Sequence, residues 1–532
     1  MGARYVTDLI AAFERNAGRP AIGAGPVVMG FSEVLADTYR LAGVLGELGV
    51  TRGTGLACVT DGNPPEALLV RLAAHVLGAR LTQVVVGPAT HGLDFMLRDC
   101  APALVVHDTP VPHGGVPRVG LEELIRLART RDGRPVPVRA REEDVARVTY
   151  TGGTTGRPKG VASTFAAMAG RTDTRGKGGA GAEAGESADG GTGARGADGG
   201  GPRESVYLSV TSLAQRSGGR CLEHLREGGR VEILDPFDTG EFAAACRRLG
   251  PVSTYLTPSM VYRLLDDPAT ADGVPGLAQV SYGNSPVHPE RLRQALMRWG
   301  ARPRWRQGYG MNEAGVICRL SAADHDAGVT DRPHLLGSVG RPAPGVDVRV
   351  REPDGAETEP GDTGEVWVRS AMTMAGYWNQ PGLTAEVMRD GWLRTGDLGH
   401  FDADGYLYLD DRVKDVVIVD GVNIYCGPVE AALTRHPAVA EAAVVGRADD
   451  RTGEEVCAFL VPAPGRVPTA AAAAEACLLV ARALAPAHRP TTVFWEAALP
   501  LTDRGKPDKR LLRERAAGSA GSMARPDRQD TL

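Results

Sequence analysis

A chain of 532 residues has room for about two to four domains. Its 60 Lys and Arg against 65 Asp and Glu leave it close to neutral, which argues against nucleic acid or another polyanion as its partner. No run of about 18 apolar residues exists to span a membrane. Met1-Gly2-Ala3-Arg4-Tyr5-Val6 lacks a signal-peptide core, and the Cys residues stand singly with no C-x-x-C pair. A cytoplasmic protein without structural zinc or disulfides is expected. Taking the chain in order, Asp8 to Ala17 is predicted as an amphipathic helix with Leu9, Ile10 and Phe13 on one side. A second helix is predicted from Phe31 to Leu48, with Ser32 as its cap. Leu56 to Val59, Arg80 to Val86 and Ala103 to Val106 read as strands, with a helix from Pro64 to Leu77. This alternation predicts an α/β domain on a mainly parallel sheet.

Val145 to Tyr150 reads as another strand, and Ser163 or Thr164 as the cap of a helix through Phe165, Ala167 and Met168. Between them runs Thr151-Gly152-Gly153-Thr154-Thr155-Gly156-Arg157-Pro158-Lys159-Gly160. Glycines let a backbone fold back with its N–H groups pointing inward, and such a nest holds an anion. The Thr hydroxyls add donors and Lys159 adds a flexible positive charge, so this is a phosphate cradle by chemistry. It is not the usual P-loop, because Arg157 follows Gly156 where that pattern needs Lys. Tyr150 to Gly160 resembles the signature loop of the adenylate-forming superfamily, which contains acyl-CoA and aryl-CoA synthetases, adenylation domains of peptide synthetases, and luciferases. The resemblance implies that ATP and a carboxylate give an acyl-adenylate and pyrophosphate, after which a thiol captures the acyl group. It assigns Thr151, Gly152, Gly153, Thr154, Thr155, Gly156 and Lys159 to the β- and γ-phosphates, and Thr151 also to the metal.

Gly170 to Ser205 interrupts the α/β pattern with Lys177-Gly178-Gly179-Ala180-Gly181 and Asp189-Gly190-Gly191-Thr192-Gly193. Such a composition cannot offset ordering entropy, so residues 171–204 are expected to be a disordered insertion that adenylation does not need. Ser205 to Val210 resumes as a strand, followed by Thr211-Ser212-Leu213-Ala214-Gln215-Arg216-Ser217-Gly218-Gly219. By the resemblance, Gln215, Gly218 and Tyr282 border the acyl pocket. Gln215 falls near where relatives often carry a His, and the Asp that amino-acid-activating relatives use is missing, which disfavours a plain α-amino acid. Arg230 to Leu234 and Val252 to Leu256 read as strands around a helix from Glu241 to Leu249, and Thr257-Pro258 opens the next helix as cap and first residue. Gln279-Val280-Ser281-Tyr282-Gly283-Asn284-Ser285-Pro286 resembles the segment that packs against adenine, with Gly283, Asn284 and Ser285 as binding residues. In Gln307-Gly308-Tyr309-Gly310-Met311-Asn312-Glu313 the resemblance puts Tyr309 and Gly310 at adenine and Glu313 on Mg²⁺. Asn312 replaces a Thr that touches the α-phosphate in relatives; its amide can donate to the same oxygen.

From Gly345 to Gly399, Val346 to Val350 and Glu365 to Arg369 alternate, Trp392 to Arg394 reads as a shorter strand, and turns such as Pro353-Asp354-Gly355 separate them. This predicts an antiparallel region forming a small distorted β-barrel. Met374-Ala375-Gly376-Tyr377-Trp378 and Gly391-Trp392-Leu393-Arg394-Thr395-Gly396-Asp397 match further blocks of the family, which assigns Asp397 to the ribose hydroxyls. Asp402-Ala403-Asp404-Gly405 is a hairpin turn before Tyr406-Leu407-Tyr408-Leu409. By the resemblance Arg412 reaches ribose or phosphate, Lys414 is a hinge, and Gly421 lines the thiol channel. Cys426 reads as a packing residue, since no basic partner is adjacent. Val429 to Arg435, Ala440 to Val445, Glu455 to Val461, Ala470 to Leu484 and Thr492 to Trp495 alternate helix and strand. Leu501-Thr502-Asp503-Arg504-Gly505-Lys506-Pro507-Asp508-Lys509 resembles the catalytic-lysine loop, with Lys506 bridging carboxylate and α-phosphate oxygens.

The expected architecture is therefore α/β. A large N-terminal adenylate-forming domain, residues 1–411, carries mainly parallel sheets and the small barrel. A small mobile α+β lid domain follows at 412–515, then a disordered tail at 516–532. The implied catalytic residues are Lys506, Glu313 and Asn312; the implied small molecules are a carboxylic acid, ATP, Mg²⁺ and CoA. Loading of a carrier-protein phosphopantetheine, activation of nitrite for diazotisation of an aryl amine, and nucleotide binding without turnover are the alternatives.

Overall fold

The structure is a computed structural model that describes residues 2–518 except 87–91, 113–114, 152–157, 177–204, 286, 301–302, 421, 450 and 503–505, with backbone alone at 172–176. It divides into two compact units: Met1–Val348 with Val368–Leu393, and Arg349–Trp367 with Arg394–Leu532.

The first unit is α/β and carries two large sheets. In one, the strands Pro20–Ala24, Arg230–Ile233, Val206–Ser209, Val252–Leu256, Leu277–Gly283 and Arg304–Met311 lie side by side and parallel. Antiparallel strands Val27–Gly30 and Gly315–Leu320 extend its two sides. In the other, Val145–Thr151, Arg80–Val86, Gly55–Asp61, Pro102–His107 and Arg118–Gly120 are parallel. Helices cover these strands, which is why Leu56, Ala57, Cys58 and Val59 form a continuous buried run and do not alternate.

Local chemistry accounts for the helix starts. Thr257 accepts the Met260 N–H at 3.4 Å with Pro258 in first position, as expected. Thr164, of the two candidates, accepts the Ala167 N–H at 3.1 Å. The cap of Phe31–Glu47 is Gly30 and not Ser32: the Glu33 carboxylate takes the Gly30 N–H at 2.6 Å, and Ser32 falls inside the first turn. Three further expectations are corrected. The strand Lys159–Thr164 separates the Gly/Thr loop from its helix, so the loop joins two antiparallel strands. The helix Phe165–Gly176 runs into the residues expected to begin the insertion, because Phe165, Met168 and Ala169 are buried and carry it forward; residues 177–204 lie outside the described residues. The helix Lys509–Gly518 likewise runs past the expected start of the tail, because Ala516 is fully buried against the last sheet.

The second unit holds an α+β layer structure. Its sheet runs Val422–Ile424, Val417–Val419, Gly453–Pro462, Val439–Asp449, with Thr492–Trp495 parallel to Gly453–Pro462. Ala442 and Val444 pack with the helices Cys426–Leu433 and Ala470–Ala483, whereas Ala443 and Val445 pack with Lys509–Gly518. That alternation is the period of two that a strand between helices requires. A separate hairpin pairs Trp392–Phe401 with Leu407–Arg412.

On that hairpin His400 Nδ1 meets Asp410 Oδ2 at 3.0 Å, and its ring stacks on Tyr408 at 5.3 Å. The Asp410 hydrogen bond raises the His400 pKa above its ordinary value. A raised histidine pKa gives stability that is complete below about pH 6.5 and is lost as pH rises through the folded-state value. The melting temperature lost in His400→Asn should therefore be larger at about pH 5.5 than at about pH 8.5. An equal loss at both, by scanning calorimetry, would contradict this assignment.

Candidate active site

The strand Lys159–Thr164 does more than close the Gly/Thr loop. Its other edge pairs with Gly376–Tyr377, Tyr377 opposite Val161, so a segment far along the chain is laid beside the loop's exit. Trp378 N–H donates to the Gly160 carbonyl at 2.7 Å, and Met374 N–H to the Glu313 carbonyl at 2.7 Å. These bonds fix three side chains together. The Lys159 ammonium lies 5.4 Å from the centre of the Tyr377 ring, and the Tyr377 hydroxyl donates to Glu313 Oε1 at 3.1 Å. Glu313 is 7% exposed. Burial, then the charge and hydrogen bond of Glu313, raise the Tyr377 pKa, so the phenol stays protonated and remains a donor. Thr151, at the loop's other end, is buried and its hydroxyl donates to the Lys159 carbonyl at 3.4 Å. Gly152, Gly153, Thr154, Thr155 and Gly156 lie outside the described residues.

Asn312 and Glu313 occupy the turn between the antiparallel strands Arg304–Met311 and Gly315–Leu320. Arg171 braces that turn by donating to the Asn312 carbonyl at 3.0 Å. Burial, and next the charge of Arg216, hold the Arg171 pKa down at about 10. Tyr309 and Gly310 end the strand beside it, and Gly283 pairs with Gly308 on the neighbouring parallel strand. Asn284 and Ser285 thus follow at the carboxyl end of a parallel sheet, the end at which such sheets bind ligands. Gly283 has φ of 154°, and a Cβ there would come 2.5 Å from the Gly308 carbonyl, so glycine is what permits this approach. Gln215 is the residue before the helix Arg216–Arg226 and is half-buried. At Gly218 a Cβ would meet the Leu213 carbonyl at 2.1 Å. Tyr282 is 1% exposed in the core, with its hydroxyl 2.8 Å from His325 Nε2.

In the second unit, strand register sets Asp397 opposite Arg412, and Arg412 Nε pairs with Asp397 Oδ1 at 2.9 Å. Asp397 is buried, with its N–H donating to Thr395 Oγ1 at 3.0 Å; Lys414 is exposed two residues beyond Arg412. Lys506 N–H donates to Thr502 Oγ1 at 3.3 Å and Thr502 N–H to the Lys506 carbonyl at 2.7 Å, which holds the lysine at the base of a short loop. Gly421 lies outside the described residues. Cys426 is buried with its Sγ on the Asp415 carbonyl at 3.1 Å, and burial pushes its thiol up, the behaviour of a packing cysteine.

The family model for AMP-binding enzyme matches residues 10–378, and that for the AMP-binding enzyme C-terminal domain matches residues 428–506. The chain belongs to the AMP-binding enzyme family. A medium/long-chain-fatty-acid–CoA ligase of Mycobacterium tuberculosis is 30% identical over 96% of this chain and 90% of its own. A feruloyl-CoA synthase of an Amycolatopsis species is 30% identical over 84% of this chain and 86% of its own. Among solved structures, an amide bond synthetase of Marinactinospora thermotolerans is 31% identical with a TM-score of 0.80, covering 96% of this chain and 100% of that one. The α/β architecture read from the sequence is thus that of an AMP-binding enzyme.

Two residues that sequence reasoning passed over join the site. Tyr377 lies in a motif the sequence singled out without a task; its bond to Glu313 was not visible because the partners are distant in the chain. Arg171 was assigned to the insertion, although it continues the helical spacing of Ala167 and Met168. Where AMP-binding enzymes are expected to carry Thr, Asn312 is predicted to donate to the α-phosphate through its amide. Asn312→Thr should keep pyrophosphate release within about tenfold, and Asn312→Leu should lose more, since a hydrogen bond to a charged group is worth about 1.5–3 kcal/mol. Equal rates for Asn312→Leu and the parent would remove Asn312 from the site.

Proposed function

We propose that this AMP-binding enzyme is an ATP-dependent ligase that joins a carboxylic acid to ATP as an acyl-adenylate, releases pyrophosphate, and passes the acyl group to the thiol of CoA. The single observation that carries the reading is the register of Lys159–Thr164 against Gly376–Tyr377, which gathers Lys159, Tyr377 and Glu313 at the exit of the phosphate-cradle loop.

A carboxylate oxygen attacks the α-phosphorus, and the bond to pyrophosphate breaks. Both reactants are anions, so catalysis rests on positioning and on cations aimed at the oxygens where charge builds. Lys159 serves the departing phosphates and Lys506 the attacking carboxylate. Glu313 suits Mg²⁺, which takes one or two carboxylates together with substrate phosphates and needs no dedicated cage. Among the described residues no group of three or more His, Cys, Asp or Glu could form such a cage. Tyr377 fixes one Glu313 oxygen, and Glu313 with the Thr151 hydroxyl would hold the ion; when bound it offsets phosphate charge. Asp397 accepts from the ribose hydroxyls, and Arg412, paired with one of its oxygens, holds it oriented. The thiol then attacks the acyl carbon and AMP leaves with the former carboxylate oxygen.

The test is pyrophosphate release across a panel of carboxylic acids and nitrite, each without acceptor, with CoA, with a phosphopantetheinylated carrier protein and with an amine. Acid-dependent release followed by thioester formation with CoA supports the reading. Thioester on the carrier alone, an amide alone, or nitrite-dependent release alone would each replace the acceptor or the substrate. No release under any condition would leave a nucleotide-binding protein without turnover.

A further inference from the structure

The helix Arg216–Arg226 starts beside the strand Val252–Leu256 and presents two guanidinium groups to one tyrosine. Arg216 lies 5.7 Å from the centre of the Tyr255 ring and Arg220, one turn later, 5.3 Å. Tyr255 is 3% exposed, and among the described residues its hydroxyl has no hydrogen-bond partner. A buried hydroxyl without a partner is a standing cost, and such groups mark places where something else supplies the bond. The direction in which this hydroxyl points is given by its neighbours. A Cβ on Gly283 would come 3.3 Å from Tyr255 Oη, whereas a Cβ on Gly308, the next strand over, would meet nothing within 4 Å. The buried hydroxyl thus lies next to Gly283 at the carboxyl ends of the two strands that lead into Asn284 and Tyr309, and among the described residues nothing fills the space beside Gly308 on the neighbouring strand.

Arg216 is half-buried, and among the described residues no carboxylate is within ion-pair distance of it. Its charge reaches Arg171, itself half-buried and bound to the Asn312 carbonyl. Two cations therefore lie on the way to the turn of Asn312 and Glu313, and the charge of Arg216 disfavours that of Arg171. An anion in front of them would relieve that repulsion, and the Tyr255 hydroxyl would give it a neutral donor as well. Glu223 and Glu313 also act on Arg171, so the groups left to a ligand are the Arg216 guanidinium and the Tyr255 hydroxyl, whose complement is an oxygen-rich anion of planar shape, for which a guanidinium fork is suited.

We infer that the acid activated by this chain carries a second carboxylate, held by Arg216 and the Tyr255 hydroxyl while the first carboxylate is adenylated. This rests on the proposed adenylation and narrows its substrate to dicarboxylic acids, aliphatic or aromatic. A polar site of this kind rejects an analogue lacking the bonded group far more strongly than an apolar pocket rejects a missing methylene.

The test uses the full-length protein, ATP and Mg²⁺, and dicarboxylic acids of graded length, each paired with its own monomethyl ester. The ester keeps shape and one reactive carboxylate but loses the second charge. The expected result is a kcat/KM for pyrophosphate release at least about tenfold higher for the best free diacid than for its ester, a ratio that falls towards one in Arg216→Met and drops partway in Tyr255→Phe. Because each ratio compares two substrates on one protein, it does not depend on how much of a variant folds. Esters or simple monocarboxylic acids used as well as diacids, or a ratio unchanged in Arg216→Met, would overturn the inference while leaving adenylation standing. If no acid of any kind supports pyrophosphate release, the adenylation reading falls and this inference falls with it.

Discussion

Lys506→Ala is expected to slow adenylate formation by about 10²–10³, the cost of losing one preorganised group that meets charge in the transition state. The reason is specific to the first half-reaction. The lysine is required while a carboxylate oxygen approaches an α-phosphate, because both partners are negative. Thiol attack on a finished adenylate builds charge on the acyl oxygen, so that step should proceed in the variant. Gly421→Leu should behave in the opposite way if the pantetheine arm passes Gly421: adenylate forms and is not passed on. Single-turnover kinetics of each half-reaction, with chemically made acyl-adenylate for the second, check both variants. Equal slowing of both steps by both substitutions would contradict the division of labour.

Glu313→Gln should lower adenylation by about 10² and raise the Mg²⁺ concentration needed for half-maximal rate, because a neutral amide oxygen is a far weaker partner for a hard cation. Tyr377→Phe should cost less, about tenfold, the worth of one hydrogen bond to a charged group. It should act through the same ion, since Tyr377 touches Glu313 and holds its orientation. A Mg²⁺ titration of pyrophosphate release separates the two effects. A Glu313→Gln enzyme matching the parent across the whole titration would show that this carboxylate does not serve the metal. A Tyr377→Phe enzyme with normal metal dependence and a reduced rate would limit the tyrosine to supporting the Lys159 side of the loop.

What could be read from the chain was what is local in it. Glycines and hydroxyls in a fixed order lead to the expectation of a phosphate cradle at Thr151–Lys159, and the Thr257-Pro258 cap follows from two adjacent residues. The α/β alternation was legible for the same reason. What escaped depends on partners far apart. Lys159–Thr164 is too short and too mixed to announce a strand, and it is one because Val145–Thr151 and Gly376–Tyr377 both pair with it. Ala516 looked like the beginning of a tail because its apolar partners, Val445 and Cys457, belong to strands well upstream. Arg171 looked like solvent-facing insertion because a charged residue usually is one; its acceptor, the Asn312 carbonyl, comes from a turn no local pattern connects to it. Tyr255 and Arg216 were passed over on the same grounds, since a buried tyrosine is ordinary and what is informative is that its hydroxyl lacks a partner among the described residues.

The central claim is that a carboxylate oxygen becomes bonded to the α-phosphorus. It is tested most directly with an accepted acid labelled with heavy oxygen in its carboxylate, followed by mass spectrometry of the nucleotide product after thiol transfer. The account predicts that AMP carries one heavy oxygen atom and the thioester keeps the other. Unlabelled AMP, or ADP together with labelled inorganic phosphate, would contradict it.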